Sequence, residues 1–167
     1  WLLYNFKFKH RFNEKTNLSF SLFGLDAERN TVGFRTNRVD QVDPFTERDL
    51  IRGNFNNHGM ELKILKKYEI NRKKGTFVLG GKYYRSKSLS KQGPGSEGVD
   101  ADFNSYIEDY PNYTNQSNYT YPNKNFAFFG ENVFYINEKL SFTPGFRLEN
   151  IVTKSLSLIH ISSPRDS

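Results

Sequence analysis

Asn125 to Ile151 reads NFAFFGENVFYINEKLSFTPGFRLENI, two aromatic-rich runs separated by the polar turn Asn137-Glu138-Lys139. In the second run Leu140, Phe142, Phe146 and Leu148 share one parity, and Ser141, Thr143, Gly145, Arg147 and Glu149 share the other. Alternation with period two describes a strand with one apolar and one polar face. Burying Arg147 and Glu149 in the core of a small sandwich is costly. A barrel that meets lipid outside and water inside requires this pattern. The first run is mixed: Phe126, Phe128, Phe134 and Ile136 point one way, while Phe129, Val133 and Tyr135 accompany Glu131. The pattern defines a hairpin and leaves the facing of its first strand open.

The rest of the composition agrees with that hairpin. The chain has 16 Phe and 10 Tyr, yet its mean hydropathy is −0.72 and only 36% of its 167 residues are hydrophobic. Many large aromatics on a polar chain fit lipid-facing strands joined by hydrophilic loops; a soluble all-β domain is the alternative. No apolar run approaches the ~20 residues of a spanning helix, but barrel strands need only ~9–11. The chain opens on Trp1 inside a strand-like pattern and is read as an internal piece, without a signal peptide. Lys7, Lys9 and Arg11 alternate with Phe6, Phe8 and Phe12, as a polar barrel interior requires. Without an RNA-binding signature or a glycine-rich phosphate loop, the net charge of +6 does not indicate nucleic-acid binding. Zero cysteines exclude a disulfide framework and a thiolate metal site.

Taken in order, Leu2, Tyr4, Phe6, Phe8, His10 and Phe12 form one face of a first strand, followed by the short turn Asn13-Glu14-Lys15. Leu18, Phe20 and Leu22 alternate with Ser19 and Ser21 in a second strand, to about Leu25. From Asp26 to Gly53 the alternation dissolves, and this segment is read as a long loop. A third strand runs from Phe55 to Tyr68, with Met60, Leu62 and Ile64 facing out and Glu61 and Lys63 facing in. A basic turn, Glu69 to Lys74, leads to a fourth strand marked by Phe77, Leu79, Gly81 and Tyr83. Arg85 to Lys124 is read as the second long loop. About six strands therefore alternate with connections that run short, long, short, long, short. An up-and-down antiparallel barrel with one trimmed and one elaborated rim produces this order. Six strands do not close such a barrel, so further strands are expected outside this stretch.

Other signals carry less chemistry. Three sequons, at Asn112, Asn115 and Asn118, are read as an Asn/Ser/Thr-rich loop meeting the pattern by composition. Glu97, Asp100, Asp102, Glu108 and Asp109 form an acidic cluster without the spacing of a calcium loop. The three histidines show no metal-ligand spacing, and no nucleophile stands with a base. No catalytic residue, metal site or cofactor is expected, and the chain does not read as an enzyme. Leu156 to Ser167, LSLIHISSPRDS, break the pattern and resemble an adaptor-derived tail, leaving residues 1–155 as the barrel part.

LSFSLFGLDAERNTVGFR, RDLIRGNFNNHGMELKIL, KQGPGSEGVDADF and NFAFFGENVFYINEKLSFTPGFRLE together resemble TonB-dependent outer-membrane receptors. Within that superfamily the chain is similar to the ferric dicitrate receptor-like branch of Bacteroidetes-type bacteria, chiefly through KQGPGSEG. The resemblance implies part of a transmembrane barrel of roughly 22 strands with long extracellular loops. It implies a plug inside that barrel, energised by a TonB-type inner-membrane complex, and a location in the Gram-negative outer membrane. It implies energised uptake of a ferric complex, such as ferric citrate or a ferric siderophore. Such chelates are anionic, and Arg and Lys near the outer rim match their carboxylates. Arg52, Arg85, Lys87 and Lys91, expected at or beyond the extracellular strand ends, are the candidate ligand-binding residues. The inward Lys7, Lys9, Arg147 and Glu149 are expected to balance charge in the lumen. The alternatives are a receptor for a glycan, cobalamin or another substrate, a passive porin-like barrel, and a soluble β-rich binding module.

Overall fold

The structure is a computed structural model that describes residues 1–36 and 38–157. Its strands are β1 (Leu2–Asn13), β2 (Thr16–Gly33), β3 (Glu47–Ile70), β4 (Lys73–Glu97), β5 (Ser117–Tyr135), β6 (Ser141–Phe142), β7 (Gly145–Thr153) and β8 (Leu156–Ser157). They form one antiparallel sheet in chain order, with β6, β7 and β8 all paired to β5. These three keep a single register, so they are one strand interrupted twice. The first interruption is at Pro144, which has no N–H to give the ladder but still accepts a hydrogen bond from Asn132 N at 2.9 Å. At the second, Lys154 N donates to Pro122 O at 3.0 Å. The all-β, up-and-down architecture read from the sequence is the observed one.

The hairpin turns lie within the polar segments read as turns, and the one expected over Glu69 to Lys74 is narrowed to Asn71-Arg72. Asn13 pairs with Thr16, and the Asn13 side chain accepts a hydrogen bond from Lys15 N at 2.9 Å. Ile70 pairs with Lys73 across Asn71 and Arg72, both left-handed with φ of 52° and 61°. Two successive positive φ values define a type I′ turn, whose twist matches that of the strands it joins. Ile136 and Leu140 close the loop Asn137-Glu138-Lys139.

Two expectations are corrected. β2 continues to Gly33 and β3 begins at Glu47, so Asp26–Gly53 is mostly paired strand and the connection is residues 34–46. β4 likewise runs to Glu97 and β5 begins at Ser117, leaving residues 98–116 as the second long connection. Side-chain alternation marks only the stretch where the two faces meet different solvents. Beyond it the backbone ladder continues, because the ladder uses N–H and C=O groups that every non-proline residue carries. For the tail, Leu156 and Ser157 pair with Thr120 and Tyr119, and residues 158–167 lie outside the described residues.

Register assigns the faces. Directly paired residues share a side of the sheet, so Phe8, Phe20, Leu62, Gly81, Phe128 and Leu148 form one cross-strand row. Lys7, Ser21, Glu61, Lys82, Ala127 and Glu149 form a row on the other face. This settles the mixed strand: Phe126, Phe128 and Phe134 lie on the apolar face, while Phe129 and Glu131 lie on the charged one. From Phe126 to Phe134 the chain covers ~27 Å, or about 20 Å along the membrane normal at a tilt of ~40°, close to the height of a lipid-facing band.

The sheet has almost no core. Leu50 and Ala127 are its buried hydrophobic residues among those described, whereas Phe6, Leu62, Phe126 and Leu148 are each about half exposed or more. The accessible surface is 12981 Å², against about 8,500 Å² for a compact monomer of this mass. The sheet is open, since β1 and the β6–β8 strand do not meet. In a bilayer its two free edges need strand partners.

Aromatic rings close the gaps left by glycines. Tyr4 faces Gly24, Phe23 faces Gly59, Tyr68 faces Gly75, Phe129 faces Gly80 and Phe146 faces Gly130, each pair directly across a strand interface. At Gly80 a Cβ would lie 2.5 Å from Phe129 Cζ, so the ring occupies the volume of the missing side chain.

Candidate functional site at the long-loop rim

Above the apolar band, β3 and β4 carry both long connections on a short buried segment. Arg48, Asp49 and Leu50 are buried together, and Pro94 of β4 is fully buried beside them. A register shift falls between Glu47 and Asp49. Arg48 Nε donates to Gly98 O at 2.6 Å, and its Nη1 pairs with Asp43 Oδ1 at 2.6 Å. Asp49 accepts from Gln92 Nε2 at 3.1 Å and from the Tyr113 hydroxyl, and Arg35 stands 3.9 Å away. The Arg48 hydrogen bond holds the Asp43 carboxyl below its usual range. Burial, then the bond to Asp49, pushes the Tyr113 hydroxyl up.

The connection 98–116 is organised by its own side chains. Asp102 accepts from the backbone and side chain of Asn104, at 2.8 and 2.7 Å, and from the Tyr106 hydroxyl at 3.2 Å. Tyr106 N donates to Pro94 O at 3.0 Å, and the Tyr110 hydroxyl donates to Glu97, which pushes Tyr110 up to about 12. Two members of the acidic cluster are thus engaged by Asn and Tyr. Among the described residues no group of three or more His, Asp or Glu converges. Of the three sequon asparagines, Asn112 and Asn115 lie in this connection and Asn118 lies in β5, opposite Lys91.

The four candidate ligand residues are all in strands, not in loops. Arg52 is in β3, and Arg85, Lys87 and Lys91 are in β4. Their parity places all four on the face that continues the apolar row, which corrects their expected position at or beyond the strand ends. Arg52 and Lys91 are direct cross-strand partners and line one cavity of about 200 Å³ with Leu50, Gln92, Ile107 and Asn118. Arg52 donates to Phe103 O and so touches the connection that roofs the cavity. Arg52 Nε, Gln116 Nε2 and Asn118 Oδ1 are buried there without a hydrogen-bond partner. The structure therefore brings Arg52 and Lys91 together around unsatisfied polar atoms. Arg85 and Lys87 are not lining residues of that cavity, and both are exposed lower on the same face.

On the charged face, Glu61 and Lys63 pair at 2.7 Å, and so do Arg147 and Glu149. Asn125 Nδ2 also donates to Glu149, at 3.0 Å. Lys82 lies 5.4 Å from the centre of the Phe23 ring, and the Arg147 guanidinium lies 5.7 Å from that of Phe129. The two ion pairs are i,i+2 neighbours on one strand. The Asn125, Phe23 and Phe129 contacts depend on which strands are neighbours and were not predictable from the order of residues. Higher on this face Ser86, Ser88 and Ser90 oppose Asn123, Tyr121 and Tyr119, and the two tyrosine rings stack at 6.0 Å.

No curated protein matches the chain. Residues 2–162 match the family described as TonB dependent receptor-like, beta-barrel. A sheet in chain order, with an apolar outer face, a charged inner face and one elaborated rim, is the structure such a barrel wall requires, and the chain belongs to this family of outer-membrane receptors.

Proposed function

We propose that this chain forms wall and extracellular loops of an energised importer for an anionic ferric complex, ferric citrate or a ferric siderophore. The family is one of receptors and transporters rather than enzymes, working in the Gram-negative outer membrane with TonB-type energy transduction. The observation that carries the ferric reading is the charge of the inner face. Lys7, Lys9, Arg11, Lys63, Lys82 and Arg147 share it with Glu61, Glu131 and Glu149, a clear excess of cations. A wall lined by one sign of charge concentrates ligands of the other sign. Arg52 and Lys91 have the outer-face parity but stand at the rim above the apolar band, in a cavity covered by the second long connection. With unsatisfied polar atoms beside them, they suit a chelate carboxylate there. A plug, reached by the energising complex, would complete the importer.

A second reading has its own support. The serine, asparagine and stacked tyrosine surface of β4 and β5 suits an uncharged, hydroxyl-rich substrate such as a glycan. Growth of an iron-starved, receptor-deleted strain carrying the full-length receptor separates the two. Ferric citrate or one siderophore is expected to restore growth, and Lys82→Glu and Arg52→Ala are expected to weaken it at unchanged receptor levels. If no iron complex restores growth while the folded receptor supports growth on a glycan, the ferric reading is wrong and the second one stands.

A further inference from the structure

We propose that His58, Arg85 and Lys124, with Lys87 above them, form a site on the outside of the barrel for the phosphate groups of an outer-leaflet lipid. Arg85 of β4 is the direct partner of His58 on β3 and of Lys124 on β5, so the three form one row across adjacent strands. The row beneath it on the same face is Met60, Tyr83 and Phe126, the top of the apolar band. One pleat, about 7 Å along a strand, separates the two rows. The cations therefore stand at headgroup depth, directly above side chains that meet acyl chains. The rim with the long connections is the extracellular one in barrels of this kind, which makes the leaflet the outer one.

Their lack of partners points the same way. Arg85, Lys87 and Lys124 are exposed, and none makes a side-chain hydrogen bond or ion pair among the described residues. By contrast, Lys63 and Arg147 of the inner face each have a carboxylate at 2.7 Å. Like charges set directly opposite across a strand pair repel, and an anion between Arg85 and Lys124 removes that repulsion. The nearest carboxylate on this face, Asp26, accepts from Asn56, the residue between it and Lys87. Among the described residues it makes no ion pair with the basic row. Phosphate on a lipid, rather than a soluble chelate, fits because the row faces away from the lumen and merges with the acyl-contacting surface. Guanidinium and ammonium groups at headgroup depth bind such phosphates.

The test uses the full-length receptor in detergent micelles, with bisphosphorylated lipid A as the probe and its dephosphorylated form as the comparison. Binding is read by native mass spectrometry. Arg85→Gln with Lys124→Gln is expected to weaken binding of the phosphorylated lipid roughly 30-fold, about fivefold for each cation. Binding of the dephosphorylated form is expected to be weak and unaffected. Arg85→Lys with Lys124→Arg keeps the charges and should retain most binding. Lys82→Gln, on the same strand but the inner face, should change nothing in lipid binding. Heat-dependent gel mobility establishes that each variant is a folded barrel. Equal binding of both lipid forms, or undiminished binding by the double Gln variant, overturns the proposal. So does loss of substrate uptake in that variant with lipid binding intact, which would return Arg85 to the substrate path.

Discussion

Arg48 and Asp49 are neighbours in β3, and each of them ties down both long connections. Arg48 holds Asp43 of the first connection and the Gly98 carbonyl at the start of the second. Asp49 faces Arg35 of the first and accepts from Tyr113 of the second. Two consecutive residues thus couple loops that are far apart in sequence to one strand end. The segment is buried, so losing either partner leaves a polar group unsatisfied away from water.

Arg48→Ala should loosen both connections together and leave the barrel band intact. Losing a charged hydrogen bond raises the open population by on the order of tenfold, and protease cleavage follows that population. Limited proteolysis of the receptor in vesicles is expected to cut within 34–46 and within 98–116 at similarly raised rates. Cleavage confined to one connection would contradict the shared anchor.

Acid and base should release these anchors at different pH. Asp43 has its carboxyl held below the ordinary 3.8 by Arg48, so its contribution is present above that value. It is lost as pH falls through the lowered folded value. Tyr110 is pushed up to about 12 from 10.0 by Glu97, so its contribution is present below 10 and lost as pH rises through about 12. Loop mobility, read from a spin label at Glu108, should therefore stay flat from about pH 4 to about pH 10 and rise outside that window.

Gly80→Ala should destabilise the barrel by about 1–3 kcal/mol through overpacking against the Phe129 ring. Gly81→Ala should be nearly neutral, because its Cβ would meet nothing closer than Ala127 O at 3.8 Å. Urea unfolding in lipid vesicles measures both. A Gly80→Ala, Phe129→Ala double variant should recover part of the loss, because the ring atoms in conflict are gone and only the flexible Lys63 side chain, with its Cγ at 2.9 Å, has still to shift.

The turn between β3 and β4 can be improved. Arg72 has φ 61°, a conformation that glycine adopts freely and a side chain disfavours. Arg72→Gly is expected to stabilise the barrel by about 0.5–1 kcal/mol. Arg72→Val, branched at Cβ, is expected to destabilise it by about 1–2 kcal/mol. An unfolding midpoint that moves the same way for both variants would refute the type I′ assignment.

Period-two runs and polar tripeptides determined much of this protein by themselves: the all-β class, the chain-order hairpins and the outward rows of β1, β2 and β3. They were legible because lipid and water on opposite sides of a strand force alternation, residue by residue, within one local segment. Where β2 to β5 rise past the apolar band, both faces meet water and alternation fades, so 26–33 and 85–97 looked like loop although they are paired. Only the tertiary structure decided that Phe129 faces inward over Gly80, that Arg48 and Asp49 anchor both connections, and that Arg85 stands beside Lys124 on the outer face. Each of these depends on register between strands far apart in sequence, and register is a relation between two segments that neither one carries alone.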